Sequence, residues 1–335
     1  MAIDNPAHPT RGSAAPLTAH AIQPLLIDPA DHPRGKAHLS AASGLVRMRQ
    51  RLYVVADDEL HLAMFDDPGS APTTAAADST GPAVGTLLRL LEGDLPKDAG
   101  KRKKAKPDFE SLAALPPLPG CPAGALLALG SGSRPNRETG VLIALNAQGV
   151  PNGRMAQVDL AALYAPLHKR FADLNIEGAL VVSGELLLLQ RGNKGHAVNA
   201  CIRYDWNLMA PWLAGLQPKA PAAKSVQLLE LGLVEGVPLG FSDGAALHGG
   251  AWAFSAVAES TDDSYLDGAC VGSAIGTVGA DGELQRLHLL HGAPKVEGLA
   301  VLADGDGWLC TLVTDPDDPA VAAQMLQVRL PGVNG

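Results

Sequence analysis

A short sequence unit recurs five times along the chain and constrains its fold more than any other feature. In the clearest copy, residues 175–192, an acidic residue precedes an apolar strand, a tight turn, a second apolar strand and a polar corner. The copies begin near residues 43, 110, 177, 243 and 297, at spacings of 67, 67, 66 and 54 residues. A period of this length is typical of toroidal or stacked repeat folds.

The strand content of the repeats predicts a β-propeller. Four units contain four strand-like segments, whereas the last unit, which ends with Met325–Leu330, contains three. The segment Ile22–Asp28 has the pattern of an edge strand and can supply the missing one. Four-stranded antiparallel units repeated around an axis form a propeller, in which ring closure protects the sheet edges. We therefore predict an all-β fold, a propeller with five blades of four antiparallel strands, closed by an N-terminal strand.

A sixth blade is the main alternative to this fold. Residues 60–110 could contain an extra unit, and propellers typically have about four to eight blades. A helical solenoid is a poor match, because no long segment shows the period of about 3.6 residues that helices require. Residues 1–20 are rich in Ala, Pro, Ser and Thr without periodicity, which predicts a flexible N-terminus ahead of one propeller domain at 21–335.

Composition limits the partners that we expect. A formal net charge of -9 argues against nucleic-acid binding, because phosphate backbones attract positively charged surfaces. No segment approaches an uninterrupted apolar run of about 18 residues, and the first residues lack a secretory signal. We therefore expect no membrane partner, a cytoplasmic location and a monomer. The four cysteines occur singly, which favours buried free thiols over a zinc site or disulfides.

One dense block of positive charge, Lys97–Lys106, stands out from this acidic background. It has no aromatic neighbours and no amphipathic period. These properties are typical of a solvated loop rather than of a nucleic-acid-binding surface.

The acidic residue that opens each unit is a candidate metal ligand. In a propeller the first strand of each blade lines the central channel, so these residues should form a ring near the axis. The ring would contain Glu110, Glu177, Asp243 and Glu297, with Ser43 in the first unit. Carboxylates about 5 Å apart repel by roughly 3 kcal/mol per pair at an effective dielectric constant of about 20, so they should bind protons or a cation. Calcium prefers oxygen ligands and tolerates irregular geometry, which makes it the first candidate.

The same acids have a second interpretation that needs no metal. Each carboxylate could accept hydrogen bonds from backbone N–H groups of the next blade. A residue repeated in a repeat protein is often architectural, so the acids could fasten blade to blade. The sequence leaves both interpretations open.

Charged residues also follow the second strand of each unit and should lie on the same face. The basic members are Arg134, Arg137, Arg191 and Lys194. Arginine suits bidentate contacts with anions, so this group could hold the phosphate or carboxylate of a small anionic ligand above the ion. Alternatively, the group consists of solvated charges that balance the acidic ring.

The pairs Glu177–Gly178 and Glu297–Gly298, each followed by an apolar strand and a turn, resemble the repeated element of phytase-like and esterase-like bacterial propellers. A five-blade arrangement with a ring of acids is similar to that of the calcium-dependent apyrases, whose central ion lies among such residues. The resemblance covers the repeat units over most of the chain, with Ser43 in place of an acid and Ser111 in place of a glycine. It implies metal binding more strongly than nucleotide hydrolysis.

Two functions remain open from the sequence. The first is a calcium-assisted hydrolase of a small phosphorylated or ester substrate, in which the ring acids bind the ion and the arginines hold the substrate anion. The second is a non-catalytic propeller that binds a ligand or a protein on this face. The chain lacks GxSxG, Walker A and GxGxxG motifs, which argues against nucleophile-elbow hydrolases, P-loop enzymes and Rossmann domains.

Overall fold

The computed structural model of the chain describes residues 14–70, 83–261 and 268–332. Within these ranges the strands form five largely antiparallel sheets, which follow one another along the chain and surround a central channel. Each sheet is one blade of a propeller. The predicted five-bladed all-β fold is therefore confirmed, and the six-bladed alternative is wrong.

The first strand of each blade lies at the channel, and we call it the inner strand. Blade 1 contains Ala42–Met48, Arg51–Ala56, His61–Asp66 and Val84–Arg89. Blade 2 contains Phe109–Leu115, Ala125–Gly130, Thr139–Leu145 and Pro151–Asp159. Blade 3 contains Ile176–Val182, Glu185–Gln190, Asn199–Asp205 and Ser225–Leu229. Blade 4 contains Val237–Ala246, Trp252–Glu259, Cys270–Val278 and Leu284–Leu290, with the short strand Leu233–Val234 beside its inner strand.

Blade 5 takes its fourth strand from the N-terminal segment. Its own strands are Val296–Asp304, Gly307–Thr314 and Gln324–Leu330. His20–Pro24 pairs antiparallel with the last of these and closes the ring, as predicted. The predicted closing segment extended to residue 28, but the chain changes sheets after Pro24. Leu26–Ile27 pairs in parallel with the outer strand of blade 1, so the segment joins the last blade to the first.

The N-terminal segment also contacts a third blade. Ala14–Leu17 pairs in parallel with Leu284–Leu290, the outer strand of blade 4. Residues 14–17 and 20 therefore lie in strands, within the segment where the sequence analysis expected a flexible terminus. An outer strand offers unpaired backbone groups, and Leu17 packs against the apolar cluster between blades 4 and 5. Residues 1–13 lie outside the described residues, and the single domain at 21–335 stays a prediction.

Short helices lie in the connections between strands. The α-helices are Ala99–Ala105, Ala161–His168 and Trp206–Leu213, and the 3-10 helices are Pro68–Ser70, Pro135–Arg137 and His248–Gly250. The first α-helix corrects the expectation of a loop in the basic block. Asp98 caps it by accepting a hydrogen bond from the backbone N–H of Lys101 at 2.8 Å. No helix in the described ranges is long and apolar enough to cross a membrane.

A β-bulge at the start of every inner strand determines which residues face the axis. In four blades the bulge leaves one residue of the inner strand without a partner in the second strand. These residues are Ser43, Glu110, Glu177 and Glu297. In blade 4 this residue is Ser242, so Asp243 lies one position later than the sequence repeat predicted. Asp243 therefore stands at the position that follows the bulge, where three other blades have glycine. Because a bulge redirects the side chains around it, this shift gives Asp243 a different environment from the other acids.

The glycines after the bulges allow the inner strands to approach one another closely. A Cβ on Gly44 would lie 2.6 Å from the backbone nitrogen of Leu112 in blade 2, a distance that real Cβ atoms do not reach. A Cβ on Gly178 would lie 3.2 Å from the backbone of Asp243 in blade 4. The Glu-Gly pairs of the sequence thus reflect the packing of five inner strands around a narrow channel.

The core of the protein lies between adjacent blades, where five clusters of buried apolar side chains fill the gaps. In the cluster between blades 3 and 4, the rings of Phe241 and Phe254 pack edge to face with centroids 5.1 Å apart. The four cysteines are free thiols and three of them are buried, as the sequence predicted.

Candidate functional site

A polar pocket opens at the end of the channel where the inner strands begin, which we call the top face. Its volume is about 660 Å³, counted to its open mouth. Seven carboxylates and five basic groups line it: Asp57, Lys103, Lys106, Asp108, Glu110, Arg137, Glu177, Arg191, Glu259, Lys295, Glu297 and Asp315. The other end of the channel is mainly apolar, with Leu112, Leu180 and Leu299 in its lining. Among the described residues, no carboxylate lines this apolar end.

Blades 1 and 2 supply one wall of the pocket, which is built around Lys106 and Asp108. The Lys106 ammonium binds the Asp57 carboxylate and lies 2.8 Å from Oδ1 of Asp108. Oδ2 of Asp108 accepts hydrogen bonds from Arg137 at 2.7 Å and from the Ser131 hydroxyl at 2.6 Å. Burial opposes the charge of Lys106, but the surrounding carboxylates raise its pKa above the usual value. The ammonium therefore stays charged.

Asp58 and Glu59, which come next in the chain, make ion pairs that hold the Asp57 corner in position. Oδ2 of Asp58 lies 2.9 Å from Arg34 and 3.1 Å from Arg102. Arg34 also donates to Glu59 at 2.6 Å. Arg102 belongs to the helix that contains the basic block. This block therefore anchors the corner of blade 1 and is only partly solvated.

Three oxygen atoms of this wall form a candidate metal centre. Carboxylate oxygens of Asp57, Asp108 and Glu110 all lie within 4.8 Å of one another. Within the described part of the chain, the Glu110 carboxylate has no hydrogen bond or ion pair. Burial raises the pKa of Glu110 well above its ordinary value, and the nearby charges of Asp108 and Glu177 raise it further. A hard cation would relieve this repulsion.

Blades 3, 4 and 5 supply the other wall, which is centred on Arg191. Its Nη2 donates to Oε2 of Glu259 at 2.6 Å. Its Nη1 lies 3.4 Å from Oε1 of Glu177 and 3.5 Å from Oε1 of Glu297. Burial opposes the charge of Arg191, but these carboxylates raise its pKa well above the usual value. Asn175 donates a further hydrogen bond to Oε1 of Glu177 at 2.6 Å.

Lys295 neutralises part of the same wall. Its Nζ lies 3.6 Å from both Glu259 and Asp315 and 3.8 Å from Oε1 of Glu297, and it also pairs with Asp317. Oε2 of Glu297 is buried and has no hydrogen-bond partner among the described residues. An unpaired buried acceptor costs about 1–3 kcal/mol, so this atom marks a point where the donor of a ligand would be stabilising.

Several carboxylates of this wall have pKa values above the usual range of carboxyl groups. Burial raises the pKa of Glu177 to about 8, with Arg191 opposing the shift and Glu297 adding to it. Burial likewise raises the pKa of Asp315 to about 8 against the effect of Lys295. The pKa of Glu297 is raised by burial as well. A bound cation would lower these pKa values, because a nearby positive charge favours the ionised form.

The structure separates Asp243 from the other three predicted metal ligands. Its Oδ2 accepts hydrogen bonds from the backbone N–H groups of Leu299 at 2.8 Å and Leu45 at 3.3 Å, and its Oδ1 accepts that of Gly244 at 2.7 Å. The carboxylate is fully buried below the pocket and connects blades 4, 5 and 1. Asp243 therefore has the contacts of a blade fastener, whereas the other three acids of the ring line the pocket.

The four predicted anion-binding residues are not brought together. Arg137 and Arg191 line the pocket, but carboxylates already bind both guanidinium groups. Arg134 and Lys194 are exposed and are not among the residues that line the pocket.

Several pocket residues carry a sequence signal that the repeat comparison did not use. They stand two positions before the bulge residues of blades 2, 3 and 5: Asp108, Asn175 and Lys295. Starting each unit two residues earlier would have identified them as candidates. Lys106 has no counterpart in the other units, so only the basic block pointed to it.

Similar solved structures are distant in sequence. The chain resembles an α-L-arabinofuranosidase from Podospora anserina, with 10% identity, a TM-score of 0.48 and coverage of 95% of this chain and 98% of that chain. It also resembles a glycosyl hydrolase from Bacteroides ovatus, with 9% identity, a TM-score of 0.36 and coverage of 92% and 90%. The WD40 β-propeller domain of Doa1 shows 8% identity, a TM-score of 0.36 and coverage of 92% and 96%.

These comparisons give no specific support to the phytase-like, esterase-like or apyrase-like resemblance. No curated protein matches the sequence. One family model matches residues 102–319, which is more than half of the chain and contains all of the ring acids. The chain therefore belongs to DUF6910, a family of unknown function.

Proposed function

We propose that this protein is a cation-binding β-propeller whose top-face pocket holds one divalent ion, with calcium as the first candidate. The observation that carries the proposal is the oxygen triad of Asp57, Asp108 and Glu110, whose atoms lie within 4.8 Å of one another. Calcium binds oxygen ligands at about 2.3–2.6 Å, so one ion can contact oxygens that are up to about 5 Å apart. The donor set, with carboxylates only, suits a hard cation.

The charge of the pocket supports a divalent ion. Seven carboxylates face five basic groups, so the fully ionised pocket carries a surplus of two negative charges. One divalent ion balances this surplus. The Glu110 carboxylate makes no hydrogen bond or ion pair within the described residues, so both of its oxygens are available to an ion.

Lys106 competes with the ion for two of the three ligands. Its ammonium contacts both Asp57 and Asp108. A lysine side chain is flexible, so the bound ion would displace the ammonium from at least one carboxylate. A bound ion and the Lys106 ammonium would thus be alternative partners for the same two carboxylates.

The same contacts argue against the anionic substrate that the sequence analysis expected. Carboxylates bind both Arg137 and Arg191, which leaves the fully ionised pocket with surplus negative charge. A phosphoester would be repelled by this charge. We therefore propose binding rather than phosphoester hydrolysis as the role of the pocket, and we expect no turnover in a screen of phosphoesters and carboxylic esters with added calcium.

A calcium titration of the melting temperature tests the proposal. Calcium at a hundredfold excess over its Kd should stabilise the protein by about 2.7 kcal/mol, which corresponds to roughly 4 °C for a chain of 335 residues. Glu110→Gln should abolish the shift because it removes a ligand without changing side-chain size. Asp306→Asn removes an exposed carboxylate that pairs with Arg329 away from the pocket and should keep the shift. A wild-type melting temperature that does not respond to calcium would refute the ion site.

A further inference from the structure

The wall formed by blades 3, 4 and 5 contains more carboxylates than its cations can neutralise. Glu177, Glu259, Glu297 and Asp315 line it, together with only two basic side chains, Arg191 and Lys295. The wall of blades 1 and 2 is better balanced, because Lys103, Lys106 and Arg137 accompany its three acids. All of the surplus charge of the ionised pocket therefore lies on the wall of blades 3, 4 and 5, away from the proposed ion site.

Two carboxylates of this wall have oxygens that accept no hydrogen bond within the described residues. Oε2 of Glu297 is buried and unpaired, and its side chain is only 5% exposed. Glu177 uses its Oε1 for Asn175 and Arg191, and its Oε2 has no hydrogen-bond donor within the described ranges. Both carboxylates contact the same nitrogen of Arg191, so they are neighbours. The two carboxylates thus lie in one small region of the pocket.

The pocket already shows how its carboxylates bind ammonium groups. Nζ of Lys295 lies within 3.8 Å of Glu259, Asp315 and Glu297. Nζ of Lys106 bridges two carboxylates on the other wall. An ammonium group has three donors and one positive charge, which matches two adjacent carboxylates with unpaired oxygens.

We propose that Glu177 and Glu297 form a binding site for the primary ammonium group of a small aliphatic amine. The ammonium would donate to the unpaired oxygens of both carboxylates and neutralise part of the surplus charge. A quaternary ammonium is a poor fit, because such ions are recognised by aromatic cages and no aromatic side chain is among the described residues that line the pocket.

The amine site and the proposed ion site lie on different walls of the pocket. The two sites use different carboxylates, since the ion binds Asp57, Asp108 and Glu110. Either site can therefore exist without the other, and variants can separate them.

Isothermal titration calorimetry of the full chain, in buffer with EDTA, tests the amine site. The probes are ethylamine and 1,4-diaminobutane, compared with tetramethylammonium and xylitol, with sodium chloride matching the ionic strength. We expect saturable binding of the two primary amines, and at least about tenfold weaker binding in Glu297→Gln and Glu177→Gln. Glu110→Gln, which removes a carboxylate from the other wall, should weaken amine binding much less than these two variants while losing the response to calcium.

Several results would overturn the amine site. Wild-type protein that shows no saturable binding of either amine refutes it, as does equally tight binding of xylitol, which would indicate a site for neutral hydroxyl groups. Unchanged amine affinity in a folded Glu297→Gln protein also refutes it. If Glu297→Gln does not fold, the comparison of Glu177→Gln with Glu110→Gln decides the question, since these replacements remove one carboxylate from each wall.

Discussion

Replacing Glu177 with glutamine should remove a large part of the pH dependence that the pocket imposes on stability. Burial raises the pKa of Glu177 from 4.5 to about 8 in the folded protein. A carboxyl group with a raised pKa binds its proton more tightly in the folded state. The protonated Glu177 carboxyl group therefore contributes its full amount to the free energy of unfolding below pH 4.5. This contribution is lost as the pH rises through about 8.

The size of this effect follows from the shift. Each pKa unit corresponds to about 1.4 kcal/mol, so a rise of this size changes the free energy of unfolding by on the order of 5 kcal/mol between acidic and alkaline pH. For a chain of 335 residues this equals roughly 7 °C in melting temperature. Glutamine stays neutral at every pH and can still accept the hydrogen bond from Asn175. Arg191 keeps its contact with Glu259.

The measurement is urea unfolding at a series of pH values from 5 to 9, with EDTA present. We expect the wild-type protein to lose stability relative to Glu177→Gln as the pH rises, so that the variant is the more stable protein at pH 9. Asp306→Asn, which changes an exposed acid, should follow the wild-type curve. Parallel curves for wild type and Glu177→Gln would refute the reasoning. They would mean that Glu177 has the same pKa in the folded and unfolded states.

Three further predictions concern the ring and the ion site. Asp243→Ala should lower the free energy of unfolding by at least about 3 kcal/mol, because it leaves three backbone N–H groups without their acceptor; a smaller loss in urea unfolding would contradict its role as a fastener. Deletion of residues 21–28 should lower the melting temperature of the whole propeller in one transition, and an unchanged value would show that this segment does not close the ring. Lys106→Met should tighten calcium binding by about tenfold or more in calorimetry, since the competing ammonium is gone; equal or weaker binding would place the ion elsewhere.

The fold could be predicted from the sequence because the patterns that indicate it are local and recur along the chain. The spacing of the five unit starts, at residues 43, 110, 177, 243 and 297, identified the blades, and the count of strands in the last unit pointed to closure by an N-terminal strand. In three blades the close approach of neighbouring inner strands favours glycine after the bulge, so Gly44, Gly178 and Gly298 make the repeat visible in the sequence. A repeat of this kind constrains the architecture more strongly than any single segment does.

The site could be predicted only in part from the sequence. The partner of each charged side chain depends on contacts between residues that are far apart in the chain. Glu110, Glu177 and Glu297 were correctly placed around the axis, but a bulge one residue earlier moved Asp243 out of the ring. The sequence showed that arginines would lie nearby, yet it could not show that Arg191 is surrounded by carboxylates from three blades.

The N-terminal closure has a consequence for how the chain folds. Ala21 pairs with Leu326, and Ala14 pairs with His288, so these strands find their partners only across almost the whole sequence. Contacts between such distant residues are slow to form, because the loop entropy must be overcome before the contacts stabilise the chain. The outer edges of blades 4 and 5 therefore stay open until late in folding. During that interval they can pair with another copy of the chain, so recovery of the monomer on refolding should fall as the protein concentration rises.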